Sequence, residues 1–280
     1  MLLKFEKLTL QTPQELAFTI KVYCRQQFTD FPDQRQWPIV LIFPGGGFAG
    51  ISEREEELAA LPFLAKGYQA IVVRYNLLAA GPFYPNAATI GLTTINYVRK
   101  NAAALHADPN KIITVGFSAG GHLVSVMNAL GNNQKFLEAH NFKEQPIQPA
   151  AQILSYPVID LTMGFPEDLA VAKQISSDQH LWHAQKLVTA QTPPTFIWHT
   201  ATDELVPVAN TAAYITALIE HKVPFESHIY AQGVHGLAFS NVATSRYTHP
   251  EDVEPQAAGW FPLALNWLKE CFKSENPTIL

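Results

Sequence analysis

The chain has 280 residues, 48% of them apolar and only 15% charged, with a formal net charge of -5 and a pI near 6.0. That much apolar material fills one large core. The near-neutral balance excludes the basic surface that nucleic acid or an anionic membrane requires, so the expected partner is a small neutral molecule. The amino terminus mixes Lys4, Glu6 and Lys7 into its apolar positions, and no window of about eighteen uncharged apolar residues follows. A soluble, cytoplasmic protein without a cleavable signal is therefore expected, with no membrane partner. Cys24 and Cys271 lie near opposite ends, each without a second cysteine close by, which suits free thiols better than a disulfide or a thiolate metal site.

In chain order, residues 3 to 10 and 16 to 24 alternate polar with apolar (Leu8, Leu10; Phe18, Ile20, Val22) around the turn-like Thr12-Pro13-Gln14, which predicts an antiparallel hairpin. Residues 37–43 form a continuous apolar run too short for a helix, as a strand buried on both faces does. The run ends at Pro44-Gly45-Gly46-Gly47-Phe48, where three glycines let the backbone approach a ligand closely and present free amides. Residues 52–66 read as a helix with Glu53, Glu55, Glu56 and Glu57 favouring its amino end, Pro62 kinking it and Gly67 closing it. A second buried strand, 68–75, leads through a Gly/Pro loop to a helix over 86–105, and Asp108-Pro109-Asn110 turns into a third strand.

That strand runs into Gly116-Phe117-Ser118-Ala119-Gly120, and an apolar helix follows to Leu130. Glycine two residues either side of the serine is what a sharp strand-to-helix turn needs, because side chains there collide when the chain folds back. Such an elbow lifts the Ser118 hydroxyl above the sheet edge and points the first helical amides, Ala119 foremost, at the same spot. Beyond a polar stretch at 131–149, residues 151–159 form another strand, and 160–192 shows weak helical content that suits a small cap within 130–192 or an ordinary surface excursion. Strand 193–200 precedes Asp203 and Glu204. A helix runs from Pro207 to His221, and a last strand at 225–230 alternates with period two. Gly233-Val234-His235-Gly236 follows it, and the closing helix spans about 260–272 with a loose tail at 276–280. Strand alternating with helix is the signature of a parallel sheet in a single α/β domain, 1–280.

A serine hydroxyl is a poor nucleophile until an adjacent base takes its proton, and the base needs a carboxylate to hold its tautomer. Ser118, Asp203 and His235 occur in that chain order, each after a predicted strand, so all three can meet on one sheet edge. Among ten histidines only His235 combines a post-strand loop with glycine close on both sides. His122 on the elbow helix suits a packed structural role, and His199 and His228 sit within strands. Asp203 is favoured as the acid because its strand directly precedes the last helix and strand before the histidine, with Glu204 and Asp160 as competitors. No ligand spacing such as H-E-x-x-H appears, so neither a metal nor a cofactor is expected.

The motifs at 44–48 and 116–122, together with Ser155-Tyr156-Pro157-Val158, Pro193-Pro194-Thr195-Phe196 and Asp203-Glu204-Leu205-Val206-Pro207, resemble the bacterial carboxylesterases of the α/β-hydrolase superfamily. The resemblance covers nearly the whole chain and is to the acetyl esterase and xylan or feruloyl esterase-like branch, related to the hormone-sensitive-lipase group. Pro44 stands where the lipase-like group has histidine, which favours the acetyl-esterase-like branch. The resemblance implies the α/β-hydrolase fold, oxyanion amides from Gly46, Gly47 and Ala119, and ester hydrolysis. The shortness of the cap and the lack of a long apolar stretch for a lipid interface point to a short acyl group, acetyl to butyryl, with acetylated carbohydrate as one substrate class. A serine peptidase and a non-catalytic binding protein on the same fold are the alternatives, and neither a broken triad nor an amino-terminal gating domain is seen to support them.

Overall fold

The computed structural model describes residues 3–27, 35–143 and 146–273. Eight strands, β1 (Leu3–Gln11), β2 (Ala17–Arg25), β3 (Trp37–Phe43), β4 (Gln69–Arg74), β5 (Ala107–Phe117), β6 (Ala151–Ser155), β7 (Thr195–Thr200) and β8 (Phe225–Tyr230), form one sheet in the order β1-β2-β4-β3-β5-β6-β7-β8. The hairpin β1/β2 and the β2/β4 pair are antiparallel, and all remaining pairs are parallel. From β3 the chain goes first to β4 on one side and then to β5 on the other, so the order reverses between β3 and β5. A crevice opens at such a point beyond the carboxyl ends of the strands, and both glycine motifs of the sequence, 44–47 and 116–120, lie there.

The apolar runs are explained by burial on both faces. Residues 39–43 are wholly buried, and alternate side chains go to opposite sides: Ile39, Leu41 and Phe43 join one core cluster, Val40 and Ile42 the other. The first cluster packs under α2 (Asn86–Lys100), α3 (Ala119–Leu130) and α6 (Ala209–Glu220), the second under α1 (Glu57–Ala65) and α7 (Trp260–Cys271). Helices on both faces of this sheet, with its strand order and its antiparallel β2, match the α/β-hydrolase fold expected from the sequence. Among the described residues no helix is long and apolar enough to cross a membrane. Cys24 and Cys271 are free, and burial pushes their thiols up to about 12 and about 11.

Several elements depart from their sequence reading for identifiable reasons. The 52–66 helix divides into a 3-10 turn at Glu53–Glu55 and α1, which carries Pro62 inside it, and α6 begins two residues after Pro207. Asp108-Pro109-Asn110 loops out within β5, where the register jumps from Trp37↔Ala107 to Ile39↔Ile112, and Asn110 N donates to Asp108 Oδ1 at 2.9 Å. The polar stretch holds a short helix, α4 (Gln134–Ala139), capped by Asn133, whose side chain accepts from Phe136 N at 3.1 Å. β6 stops at Ser155 because Tyr156 turns the chain with φ 39°. Segment 160–192 contains α5 (Leu169–Ile175) and two 3-10 turns, and its Leu161, Ala172, Ile175, Trp182 and Val188 are buried in the cluster under α2 and α3. β8 has no buried residue, since it is the sheet edge. The tail at 276–280 lies outside the described residues.

The acidic run at 53–57 is only partly a helix-end charge. Glu56 is buried, and its carboxylate accepts from Arg74 Nε at 2.6 Å, Arg74 Nη2 at 2.8 Å and Lys21 Nζ at 2.8 Å, which ties α1 to β2 and β4. Burial alone would raise its pKa, but the Arg74 and Lys21 hydrogen bonds outweigh that and hold it below the usual value. Arg74 is partly exposed, so solvent screens the pair. Glu56→Gln is expected to lower the unfolding free energy by about 1 to 2 kcal/mol at neutral pH, read from the urea midpoint.

Candidate active site

β5 delivers the chain into Ser118 and α3 leaves from Ala119. Ser118 sits at φ 51° and ψ -119°, a left-handed backbone that costs on the order of 1 to 3 kcal/mol and persists only where the surroundings hold it. They do: Ser118 N donates to Ser155 O at 3.0 Å, and Val158 N donates to Ser118 O at 3.1 Å. A Cβ at Gly116 would lie 2.5 Å from Gly120 O, and one at Gly120 would lie 2.1 Å from Phe43 O. Neither position admits a side chain, so the glycine spacing follows from backbone contact at the turn and with the end of β3.

The Ser118 Oγ is 2.7 Å from His235 Nε2, and His235 Nδ1 is 2.7 Å from Asp203 Oδ2. The three residues whose order and placement suggested a relay therefore form one hydrogen-bonded chain at the carboxyl edge of the sheet. Asp203 is buried, and its carboxylate accepts four bonds: Leu205 N at 3.0 Å and Val206 N at 2.9 Å reach Oδ1, and His235 and His199 Nε2, the latter at 3.0 Å, reach Oδ2. Burial would raise the Asp203 pKa, but the bonds from His199 and His235 outweigh it and hold the carboxyl well below the usual range. Thr200 and Thr202 donate to Gly233 O at 2.9 and 3.1 Å, which fastens the acid loop to the histidine loop.

Beneath the histidine, Tyr156 lies edge-on to the His235 ring with centroids 5.1 Å apart. Its hydroxyl donates to Glu55 Oε1 at 2.6 Å and accepts from Ala238 N at 2.9 Å, and Glu55 Oε2 accepts from Gly45 N at 2.6 Å. A single buried carboxylate thus joins the glycine loop to the segment after His235. In that loop the Gly46 carbonyl accepts from Ala49 N at 3.2 Å and Gly50 N at 2.9 Å, and Tyr75 donates to Pro44 O. No described residue accepts a hydrogen bond from the amides of Gly46, Gly47 or Ala119. Phe48 is buried at φ 66° and packs on Phe83, His122 and Phe165, and a Cβ at Gly47 would lie 3.3 Å from Phe165 Cζ. Phe165, from segment 160–192, therefore lies against the glycine loop.

The competing residues stand elsewhere. Glu204 is exposed. Asp160 is buried against its own partners: Oδ1 accepts from Thr162 N and Oγ1 at 2.9 and 2.6 Å, and Oδ2 from His183 Nδ1 and Gln185 Nε2 at 2.8 and 2.6 Å. His122 is buried, with Nδ1 2.9 Å from Tyr84 Oη, and burial pulls its pKa down to about 4. Trp182 is buried with its indole donating to Ser176 O at 2.9 Å. His228 on β8 bonds Glu226 at 2.9 Å. Sequence reasoning missed Glu55, Tyr156, Phe165 and the contact of His199 with Asp203. Of these only His199 carried a signal, an ionisable residue inside a predicted strand, next to Trp198.

The BD-FAE family model matches residues 28–218 of the chain. Endo-1,4-beta-xylanase B of Butyrivibrio fibrisolvens is 31% identical over 213 residues, 72% of this chain and 33% of that protein. Acetylxylan esterase of Xylanibacter ruminicola is 27% identical over 242 residues, 82% of this chain and 47% of that protein. The chain therefore spans between a third and a half of the length of these curated relatives. Among solved structures, carboxylesterase Cest-2923 from Lactobacillus plantarum WCFS1 superposes with a TM-score of 0.92 at 40% identity, covering 95% of this chain and 97% of that one. A family match over most of the chain, together with the fold, means that this protein belongs to the BD-FAE family of the α/β-hydrolase superfamily, in its carboxylesterase and acetyl-esterase branch.

Proposed function

We propose that this chain is a serine carboxylesterase that hydrolyses short-acyl esters, acetyl to butyryl, through an acyl-enzyme. The observation that carries this reading is the unbroken chain of 2.7 Å hydrogen bonds from Ser118 Oγ through His235 to Asp203. Ser118 Oγ attacks the ester carbonyl while His235 Nε2 takes its proton, and the carbonyl electrons pass to an oxyanion met by the amides of Gly46, Gly47 and Ala119. The intermediate collapses, the C–O bond to the alcohol breaks, and His235 returns the proton to the leaving oxygen. Water, deprotonated by His235, then attacks the acyl carbon, and the carboxylic acid leaves as Ser118 regains its proton. Asp203 orients His235 and stabilises the imidazolium formed in each half.

In this reading the chain is one hydrolase domain, with segment 160–192 as a small cap over the sheet edge, and it works on small soluble esters in the cytoplasm. The names of the relatives make acetylated carbohydrate the substrate class to test first. A chain-length series of p-nitrophenyl esters, run beside acetylated sugars and aminoacyl amides, is expected to peak at two to four carbons with negligible amide cleavage. A maximum at eight carbons or beyond overturns the short-acyl claim, and faster amide cleavage overturns the esterase.

Phe165 supplies a finer check. Its ring stacks on Phe48 at 6.4 Å and lies against Gly47, where it limits the space beside the proposed oxyanion amides. Phe165→Ala is expected to move the maximum of the ester series to longer chains and raise kcat/KM for hexanoate roughly tenfold relative to acetate, each methylene in an apolar pocket being worth about 1 to 3 kcal/mol. An unchanged profile would place the limit on chain length elsewhere.

A further inference from the structure

His199 lies within β7 with no exposure, between Trp198 and Thr200. Its Nδ1 meets Thr211 Oγ1 of α6 at 2.8 Å. Its Nε2 faces two acceptors, Asp203 Oδ2 and Val206 O, each at 3.0 Å. With only acceptors in front of it, Nε2 must be the protonated nitrogen, and it donates to both. The carboxylate oxygen it reaches is the one that accepts from His235 Nδ1 at 2.7 Å.

The geometry points to His199 as a positioning residue that acts through Asp203 on the imidazole of His235. Asp203 Oδ1 is saturated by two backbone amides, and Oδ2 has one lone-pair direction for His235 and one left over. His199 fills the second. The carboxylate then has a donor on every side and cannot turn about its last torsion, so the remaining lone pair stays aimed at His235 Nδ1. Thr211 holds the His199 ring in turn, which extends the line of hydrogen bonds from Ser118 across the sheet edge into α6. Without a donor at this position Oδ2 is left half-satisfied in a dry site, and the carboxylate is free to rotate or to admit water. A buried imidazole with three polar contacts, next to Trp198 in the strand, is costly to place and is not explained by packing.

The inference rests on the serine-esterase reading above, and the test separates the two. Glutamine places its amide nitrogen near the position of Nε2, whereas asparagine reaches only to the position of Nδ1, on the Thr211 side. His199→Asn and His199→Leu are expected to lose about 10- to 100-fold in kcat on p-nitrophenyl acetate, with KM within about threefold, the scale of a misaimed catalytic group. His199→Gln is expected to stay within about threefold of wild type. In the Asp203→Asn background His199→Leu is expected to remove less than about a further threefold, because its effect passes through a carboxylate already lost. Equal losses for Gln and Asn, or a full loss from His199→Leu on top of Asp203→Asn, overturn the proposal and leave His199 a packing residue. Failure of all three single variants to fold does the same. Near-normal activity in Asp203→Asn alone instead refutes the underlying triad reading. Thermal unfolding of each variant identifies those that lose activity by losing structure.

Discussion

Ser118→Ala is expected to lower kcat on p-nitrophenyl acetate by about 10⁴ to 10⁶ while KM and the unfolding midpoint stay close to wild type. In the proposed mechanism the loss is this large because Ser118 alone forms the acyl-enzyme, and His235 and Asp203 prepare a nucleophile that the variant lacks. Activity above the uncatalysed rate survives through oxyanion stabilisation and binding, about 10³ to 10⁴ in comparable enzymes. Stability holds because alanine keeps the backbone of the turn, whose fixed points are the bonds of Ser118 N to Ser155 O and Val158 N to Ser118 O. Intact-mass measurement after a brief exposure to substrate supplies a second readout: wild type gains one acyl mass on the peptide containing Ser118, and the variant gains none. A variant that keeps most of its turnover, or acquires the acyl mass elsewhere, removes Ser118 as nucleophile.

The elbow and the sheet were legible in the sequence because their causes are local. Gly116 and Gly120 are required by contacts within the turn and with the end of β3, so their spacing reports the geometry directly. Strands buried on both faces need continuous apolar runs, as residues 39–43 show. The residues that brace the site are different, because each is defined by partners on other elements of the fold. Glu55 and Glu56 stand in the same acidic run, and a carboxylate in the first turn of a helix reads alike whether it is solvated or buried. Their fates are set by Gly45 and Tyr156 in one case and by Lys21 and Arg74, on separate strands, in the other. Phe165 lies in a segment without periodicity, and its position against Gly47 depends on how that segment returns over the sheet edge. His199 is a strand residue whose neighbour in space, Thr211, comes from the helix packed on that strand.

Asp203→Asn and Asp160→Asn together test which carboxylate serves His235, and the two are expected to part by about 10⁴ in kcat. In Asp203→Asn the amide oxygen must face the backbone donors Leu205 N and Val206 N, which turns the amide nitrogen toward His235 Nδ1. Two N–H groups cannot share that bond, so the imidazole takes the opposite tautomer and presents a hydrogen, not a lone pair, to Ser118 Oγ. The base is lost although the shape is kept. Asp160→Asn leaves that relay intact, and kcat is expected to change by less than about threefold, since Asp160 bonds Thr162, His183 and Gln185 instead. Its cost appears in stability. Burial would raise the Asp160 pKa, but the bonds from Thr162, His183 and Gln185 outweigh it and hold the carboxyl at about 2, against 3.8 for the ordinary group. A folded pKa below the unfolded one contributes stability above pH of about 4, and that contribution drains away as pH falls toward about 2. The urea midpoint of Asp160→Asn is therefore expected below that of wild type at neutral pH, with the gap closing as the medium is acidified through that window. An inactive Asp160→Asn beside an active Asp203→Asn would transfer the acid to Asp160.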